Sequence, residues 1–399
     1  MILLNDISSF KEELNNELTH NILPFWINRM QDNVNGGFYG CINGKGEVIK
    51  NAHKGSVLNS RILWTFSAAY RLYGNKEYLE VATRAQKYLL NYFIDKKYKG
   101  IYWQLNHTGI PSISKKQTYA QAFAIYGLTE YWHATGDGES LEMSIDIFKT
   151  IEEHCFKHKS NGYVEALSED WQPIGDMRLS LKDENMYYTM NTHLHILEAY
   201  TKLYSVWKDI HLQESLLNLI EVFLDKIIDK DTNHLNLFFD ENWKSSNKNI
   251  SFGHDIEAAW LLNEAALALG DKEIIEKVRF KGNLLVDAAS NGLMSDGSMA
   301  YEYNPHTKIV DKERHWWVQA EAVTGFYLHY IQYGNEESLI KAYNCWNYIK
   351  QTLIDKNQGE WYWSILEDST PNIDNDKAGF WKCPYHNGRM CMTINNKIL

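Results

Sequence analysis

Histidine and glutamate stand three residues apart in the segment FGHDIEAAW, as His254 and Glu257. The apolar residues that follow recur at helical spacing, so we expect both side chains in the first turn of a helix. Such a pair is either a cap on a surface helix or part of an acid–base site. Imidazole titrates near pH 6.5, so a histidine can both accept and donate a proton near neutral pH.

The corresponding position in five other segments also carries polar or aromatic side chains. These are Asn59, Ser60 and Arg61; Tyr119 and Gln121; Asn191, His193 and His195; His315, Trp316, Trp317, Gln319 and Glu321; and Trp381, Tyr385, His386, Asn387 and Arg389. Helix caps prefer Ser, Thr, Asp and Asn, whereas this set is rich in Arg, His and Trp. One histidine at a helix start is more often structural, but six such positions together favour a functional site.

Three imidazoles and a guanidinium give this set its chemistry. His195, His254 and His386 can move protons, and Arg61 is a permanent cation that can stabilise an oxyanion. Two bases and an oxyanion stabiliser suit proton transfer at a carbon beside a carbonyl. The sequence has no glycine-rich phosphate loop and no serine or cysteine nucleophile motif.

Two other functions stay open from the residues alone. A glycoside hydrolase needs a pair of carboxylates, which Glu257 with Glu321 or Asp183 could supply. A non-catalytic sugar-binding protein would use the abundant aromatic rings, since 14% of the residues are Phe, Trp or Tyr. The binding protein would leave the three imidazoles unexplained.

Composition limits the partners and the location. The net charge of −11 and the lack of a long basic run argue against nucleic acid and anionic membranes as partners. The start MILLNDISSF does not read as a signal peptide, and no stretch approaches the ~20 apolar residues of a membrane span. Five scattered cysteines indicate reduced thiols, so we expect a cytoplasmic protein. Cys383, His386 and Cys391 match none of the usual zinc spacings, so we expect no metal.

Two kinds of helix alternate along the chain with a period of roughly 60–70 residues. Helices rich in aromatic residues and alanine begin near Ser60, Ala120, Asn191, Asp255, Gln319 and Asn387. The first five are each followed by an amphipathic helix. Four junctions, in YGNKEYL, TGDGESL, LGDKEII and YGNEESL, place glycine where a helix ends and Asn or Asp where the next begins.

These repeats predict an all-α fold, an (α/α)6 barrel of six inner and six outer helices with short β-hairpins at one end. The hairpins are expected in six aromatic, turn-rich segments such as KGIYWQLNHTGIP and GSMAYEYNPHT. The first helix resembles the amphipathic set and would pair with the last, which closes the ring as a single domain over residues 1–399. An open superhelical array of hairpins is the alternative. In a ring, the loops and inner-helix starts at one end would carry the site.

Six segments together resemble the cellobiose 2-epimerase family, within the N-acylglucosamine 2-epimerase superfamily, over essentially the whole chain. They are SRILW, YAQAFAIY, MNTHLHILEAY, FGHDIEAAWLL, WWVQAEAV and WKCPYHNGRMCM. The resemblance implies an (α/α)6 barrel that inverts C2 of the reducing-end glucose in β-1,4-linked disaccharides such as cellobiose and lactose. The implied route is ring opening and a cis-enediolate, with no metal or organic cofactor.

The resemblance also implies roles for individual residues. His254 and His386 would be the acid–base groups at C2, and His195 would assist proton traffic at O1 or O5. Glu257 would orient His254 or help ring opening, and Arg61 would stabilise the enediolate oxygens. The expected substrate contacts are Tyr119, Asn191, Trp317, Trp381 and Asp183.

Within the superfamily, an aldose–ketose isomerase or an epimerase for N-acylglucosamine or mannose would use the same enediolate. Residues near the chemistry therefore do not separate these activities from disaccharide epimerisation. His193 and His315 are expected either to be structural or to support the residues that contact substrate. The expected partner is a small oligosaccharide substrate, and the chain is expected to be a monomer or a weak homodimer.

Overall fold

A computed structural model describes residues 4–245 and 248–396, which are mostly helical. Its helices are α1 Leu4–Glu17, α2 Leu23–Arg29, α3 Ser56–Tyr73, α4 Lys76–Tyr88, α5 Thr118–Thr135, α6 Gly138–His154, α7 Met190–Val206, α8 Ile210–Val222, α9 Phe252–Leu269, α10 Lys272–Ala289, α11 Trp316–Tyr333, α12 Glu336–Tyr348 and α13 Tyr385–Asn396. Short π-helical segments at Leu18–Ile22, Leu89–Phe93, Phe223–Ile227 and Ile349–Leu353 adjoin four of the outer helices. The predicted last helix runs on to residue 399, but residues 397–399 lie outside the described ones, as does Ser246 of one predicted hairpin.

Alternate helices form a closed inner ring. Helices α3, α5, α7, α9, α11 and α13 each contact the next, and α13 returns to contact α3. Helices α4, α6, α8, α10 and α12 pack outside the inner helix that precedes them, and α1 packs on α13. The predicted (α/α)6 barrel is therefore confirmed, and the open array is wrong.

The two layers differ in burial as their sequences require. Inner helix α5 buries every residue from Thr118 to Tyr131. Outer helix α4 buries Tyr78, Val81, Ala82 and Ala85, which recur every three or four residues on one face. Among the described helices, none is both long and apolar enough to cross a bilayer.

Glycine ends four of the inner helices in the left-handed conformation that other residues rarely adopt. Gly74 has φ of 65°, and the neighbouring Asn75 accepts a hydrogen bond from the Glu77 amide to cap α4. Gly136, Gly270 and Gly334 repeat this geometry with Asp137, Asp271 and Asn335 as the caps. The predicted junctions are confirmed.

Short strands join the loops at the end of the ring where the inner helices begin. They are β1 Lys54–Gly55, β2 Gln104–Leu105, β3 Pro111–Ile113, β4 Lys116–Gln117, β5 Phe156–Lys157, β6 Gly162–Tyr163, β7 Ala166–Leu167, β8 Tyr188–Thr189, β9 Phe238–Phe239, β10 Ile250–Ser251, β11 Glu302–Asn304, β12 Ile309–Asp311, β13 Arg314–His315 and β14 Ser364–Ile365. Strands β1, β4, β8, β10 and β13 each lead directly into an inner helix and pair antiparallel with a strand of the next loop along the ring. Local hairpins occur at β2–β3, β5–β6 and β11–β12.

The inner helices begin one to four residues before the predicted positions. The reason is local, since α3, α5, α9 and α11 continue from a strand and have no capping side chain. Sequence rules locate a helix start by its capping side chain, and these four helices have none. The helical periodicity of the apolar residues was predicted correctly.

Three loops contain a buried ion pair between a lysine that precedes an inner helix and an aspartate that follows an outer helix. Lys54 lies 2.9 Å from Asp32, Lys116 lies 2.6 Å from Asp95, and Lys377 pairs with Asp355. Each aspartate also accepts two backbone N–H groups from the turn that follows an outer helix. The pairs fix that turn to the residues before the next inner helix, and so help to set where the helix begins.

Candidate active site

The starts of the inner helices surround a cleft of about 540 Å³. All ten residues that the sequence predicted for the site line this cleft: Arg61, Tyr119, Asp183, Asn191, His195, His254, Glu257, Trp317, Trp381 and His386. Other lining residues include Glu165, Arg178, Tyr301, Glu302, His315 and Trp363. The structure thus brings the predicted set together, while the role of each residue stays a prediction.

His254 lies at the start of α9 and is half-buried. Its Nδ1 is 2.7 Å from the Ser251 hydroxyl oxygen, and its ring centroid is 4.6 Å from that of Trp317. Burial, together with the charge of His195, lowers the pKa of His254 to about 3. The imidazole is therefore neutral at physiological pH.

His386 lies at the start of α13, and a residue of the neighbouring inner helix α11, Glu321, contacts it. Its Nδ1 is 2.7 Å from Glu321 Oε1, and its ring centroid is 5.8 Å from that of Trp317. Burial and the nearby guanidinium groups of Arg61 and Arg389 lower its pKa well below the ordinary value. The Trp317 ring thus contacts two neutral imidazoles that come from different helices.

Arg389 connects three buried carboxylates beneath the histidines. Its Nη2 donates to Glu257 at 2.8 Å and to Glu321 at 2.6 Å, and its Nη1 donates to Glu198. Burial and the charge of Glu321 raise the pKa of Glu257 to about 8. Glu257 therefore carries a proton at neutral pH.

Glu257 and His254 have different hydrogen-bond partners. Glu257 accepts from Arg389, while Nδ1 of His254 lies 2.7 Å from the Ser251 hydroxyl oxygen. Of the two roles expected of Glu257, these contacts favour ring opening over orientation of His254, and the role stays a prediction.

His195 has its own carboxylate partner, Glu198, one helical turn along α7. Nδ1 of His195 is 2.9 Å from Glu198 Oε2, and burial lowers the pKa of His195. Burial also raises the pKa of Glu198, but the charge of Arg389 and the hydrogen bond with His195 outweigh it and hold the value at about 2. Glu198 is an anion that also accepts the hydroxyl proton of Tyr385.

Arg61 reaches the cleft from α3. Its Nη2 donates to the Tyr119 hydroxyl at 2.8 Å, and its Nη1 lies 3.4 Å from the Trp381 carbonyl oxygen and 3.8 Å from Cys383 Sγ. Its Nε has no hydrogen-bond partner among the described residues. A buried cation with an unused donor in a cleft is suited to receive an oxygen that gains negative charge.

Two predicted substrate contacts offer side-chain oxygen atoms that can accept hydrogen bonds at the cleft. Oδ1 of Asn191 is buried without a partner in the described part of the chain. Asp183 lies in the loop over the cleft, where its carboxylate accepts the Ser180 amide at 2.8 Å. Both oxygens can accept hydroxyl protons of a sugar.

The two histidines expected to be structural or to support the substrate contacts differ. His193 is buried between the Thr189 carbonyl oxygen at 2.7 Å and the Tyr163 amide at 3.0 Å, so both ring nitrogens are engaged by the backbone. His315 instead lines the cleft, stacked on Tyr301 with ring centroids 4.0 Å apart. It is placed where a substrate could reach it.

One group could bind a metal by the nature of its atoms. Donor atoms of Glu257, Glu321 and His386 lie within 4.8 Å of one another. Arg389 already supplies a positive charge to both carboxylates, which takes the place that a metal cation would have there. Cys383 and Cys391 are not part of this group, and Cys383 Sγ lies 3.8 Å from Nη1 of Arg61.

Sequence reasoning assigned no role to Glu198, Arg389 and Tyr385, which form the support of the site. A signal for Glu198 was present, because His195 and Glu198 have the same three-residue spacing as His254 and Glu257. That spacing places two side chains on one face of a helix. Sequence reasoning applied this spacing to His254, whose Nδ1 contacts Ser251, and did not apply it to His195, whose Nδ1 contacts Glu198.

Comparison with known proteins identifies the family of the chain. A family model described as N-acylglucosamine 2-epimerase matches residues 37–388. A cellobiose 2-epimerase from Bacteroides fragilis is 53% identical over 96% of this chain and 98% of that protein. A cellobiose 2-epimerase from Dictyoglomus turgidum is 38% identical over 98% of this chain and 100% of that protein. The solved structure of cellobiose 2-epimerase from Bacillus thermoamylovorans B4167 is 40% identical, with a TM-score of 0.92 over 96% of this chain and 98% of that one. The chain belongs to the N-acylglucosamine 2-epimerase family and is a carbohydrate epimerase.

Proposed function

We propose that this protein inverts C2 of the reducing-end glucose of β-1,4-linked disaccharides, converting cellobiose to glucosyl-mannose and lactose to epilactose. The observation that carries the proposal is that His254 and His386, from different inner helices, line the same cleft as Arg61. The cellobiose 2-epimerases to which the chain is similar support the choice of disaccharide.

Inversion needs a base on one face of C2 and an acid on the other. After the ring opens to the aldehyde, one imidazole takes the proton from C2, and the electron pair of the C–H bond moves into a C1–C2 double bond. The negative charge collects on O1, which gives the cis-enediolate. The other imidazole then returns a proton to the opposite face of C2, and the aldehyde re-forms before the ring closes.

Both imidazoles are neutral before the reaction, because burial depresses their pKa values. A neutral imidazole whose Nδ1 carries the proton has a basic Nε2, so the ring that takes the C2 proton becomes an imidazolium. A ring whose Nε2 carries the proton is the acid, and it must take up a proton at Nδ1 as it gives one to C2. The Glu321 carboxyl group at Nδ1 of His386 can exchange that proton, whereas the Ser251 hydroxyl at Nδ1 of His254 orients the ring.

Glu257 and Arg61 act on the oxygens. Glu257 holds a proton at neutral pH because burial and Glu321 raise its pKa, so it can protonate a sugar oxygen as the ring opens. Arg61 neutralises the charge that grows on O1 and O2, with its guanidinium already held by Tyr119. A preorganised cation lowers the barrier because it need not reorient as the enediolate forms.

The carboxylates argue against the hydrolase alternative. Glycosidase carboxylates stand about 5 Å or more apart with the scissile bond between them. Here Glu257 and Glu321 accept from the same Nη2 atom of Arg389, so a guanidinium fills that space. The cleft also extends past the histidines to Trp363 and Asn375, which leaves room for a second sugar ring and favours a disaccharide over a free monosaccharide.

Incubation with cellobiose in D₂O with EDTA, followed by NMR, tests the proposal. Glucosyl-mannose with deuterium at C2 is the expected product. A deuterated ketose as the main product would instead assign an isomerase, and free glucose would assign a hydrolase. No change in either cellobiose or lactose would overturn the disaccharide proposal.

A further inference from the structure

Glu165 is a buried carboxylate at the wall of the cleft to which the proposed mechanism gives no task. It follows β6 and is 1% exposed. Its Oε2 accepts the hydroxyl proton of Thr189 at 2.7 Å, and its Oε1 accepts that of Thr192 at 2.7 Å. The carboxylate thus binds two hydroxyl groups at the start of α7.

These hydrogen bonds control how α7 begins. Thr189 is the N-terminal cap of α7, and its hydroxyl oxygen accepts the Thr192 amide at 3.1 Å. A hydroxyl has one proton to give, so donation to Glu165 leaves the Thr189 oxygen free to cap the helix. The same first turns of α7 carry Asn191 and His195 into the cleft.

The backbone of Glu165 also connects α7 to its neighbour in the ring. Its carbonyl oxygen accepts the Thr118 amide at 3.0 Å, immediately before Tyr119 of α5, and its amide donates to the Tyr187 carbonyl oxygen at 3.1 Å. One residue therefore contacts the starts of both helices that supply Tyr119, Asn191 and His195.

We propose that Glu165 is a positioning residue that holds the starts of α5 and α7 in the arrangement that binds the sugar. The proposal rests on the proposed epimerase function. Since Glu165 acts on the starts of α5 and α7 rather than on His254 and His386, which exchange the proton at C2, its loss should change KM far more than kcat.

The charge of Glu165 makes this positioning depend on pH. Burial raises the pKa of Glu165 to about 7, and the charge of Asp183 adds to this rise. The hydrogen bonds from the two threonines and the charge of Lys115 lower the pKa, but by less. Below pH 7 the protonated carboxyl must donate one hydrogen bond, so one of the two threonines loses its acceptor. KM should therefore rise as pH falls through about 7. The depressed pKa values of His195, His254 and His386 exclude these three residues as the source of that change.

The test compares wild type with Glu165→Gln by steady-state kinetics on cellobiose from pH 5.5 to 8.5. The variant keeps the side-chain shape but offers one acceptor and one NH₂ donor. We expect KM at pH 8 to rise about tenfold with kcat changed less than about threefold, since hydrogen bonds to a charged group are worth about one factor of ten. The rise of KM below pH 7 that we expect for wild type should be absent in Glu165→Gln.

Glu152→Gln is the matched control. Glu152 on α6 is also a carboxylate that accepts hydroxyl protons, from Tyr163 at 2.8 Å, Tyr200 at 2.7 Å and Ser215 at 2.9 Å, but it does not line the cleft. This variant should keep the wild-type KM and its pH dependence. Thr192→Ser retains the hydroxyl donor and should bind cellobiose more tightly than Thr192→Val.

Cellobiose binding, followed by tryptophan fluorescence because Trp317 and Trp381 line the cleft, separates the possible failures. Wild type that neither binds nor converts cellobiose would contradict the proposed function. Wild type that does both, while Glu165→Gln matches its KM at every pH, would overturn the positioning role alone. A KM change of equal size in Glu152→Gln would also overturn it, by showing a general effect of losing a buried carboxylate.

Discussion

His254 and His386 have the geometry of preoriented bases, since each has a partner at Nδ1. Replacement of either by alanine removes one of the two imidazoles proposed to exchange the proton at C2. We expect epimerisation to fall by about 10²–10⁴-fold or more in each variant. NMR of the products, with deuterium incorporation at C2, measures both inversion and simple exchange.

His329→Gln is the control for these variants. His329 is a buried histidine with partners at both nitrogens, Ser338 at 2.8 Å and Asn283 at 2.6 Å, but it lies on α11 away from the cleft. It should change stability and leave kcat near the wild-type value. Full activity in a folded His254→Ala protein would contradict the assignment of His254.

Arg61 should act mainly on the transition state. Removal of one preorganised donor to an oxyanion costs about 3–4 kcal/mol, so Arg61→Ala should lower kcat by about 10²–10³-fold with a smaller change in KM. Arg61→Lys should recover only part of the loss, because lysine lacks the second N–H arm that binds Tyr119. Steady-state kinetics checks this, and unchanged kcat in the alanine variant would contradict the role.

The pKa of Glu257 should set the pH above which activity declines. Burial and the charge of Glu321 raise its pKa to about 8, so the protonated form that the mechanism needs prevails below pH 8 and is lost as pH rises through that value. We expect kcat to decline above about pH 8. Glu257→Gln cannot lose a proton, so it should have a lower kcat and no such decline. An identical alkaline limit in the glutamine variant would assign the titration to another group.

At the scale of elements, the pattern of the chain predicted most of the architecture. The alternation of apolar inner and amphipathic outer helices, with Gly–Asn and Gly–Asp junctions, gave the correct ring because both signals are local. Strand pairing across neighbouring loops was not predicted, because it joins residues such as Tyr188 and Phe239 that are distant in sequence. The residues of the cleft were found by their position, but the Arg389 network was not, since its members meet only when the ring closes.

The buried Asp–Lys pairs predict how the loops are attached to the ring. Asp95→Asn should leave the Lys116 ammonium buried with a weaker partner and lower the free energy of unfolding by about 3 kcal/mol. The exposed pair of Lys277 and Glu273 is the control, and Glu273→Gln should leave the unfolding free energy unchanged. Urea denaturation measures both, and equal effects would show that burial of the pair does not matter.

At the scale of the molecule, the two ends of the ring have different tasks. The cleft lies at the inner-helix starts, while near their other ends Glu130 of α5 accepts from Arg71 of α3 at 2.8 Å and pairs with Lys202 of α7. This buried carboxylate joins three consecutive inner helices away from the proposed chemistry. Stability and catalysis should therefore be separable by substitution at the two ends.

Glu130→Ala tests that separation. Loss of a buried acceptor that serves two cations should lower the free energy of unfolding by about 3 kcal/mol, because both cations lose a carboxylate while they are still partly buried. KM and kcat on cellobiose should stay within about twofold of wild type at a temperature where the variant is folded, since the starts of α3, α5 and α7 are held independently by the paired strands that precede them. Urea denaturation and steady-state kinetics on the same preparation measure the two effects. A large rise in KM would show instead that the far end of the ring sets the geometry of the cleft, and that the strands alone do not fix it.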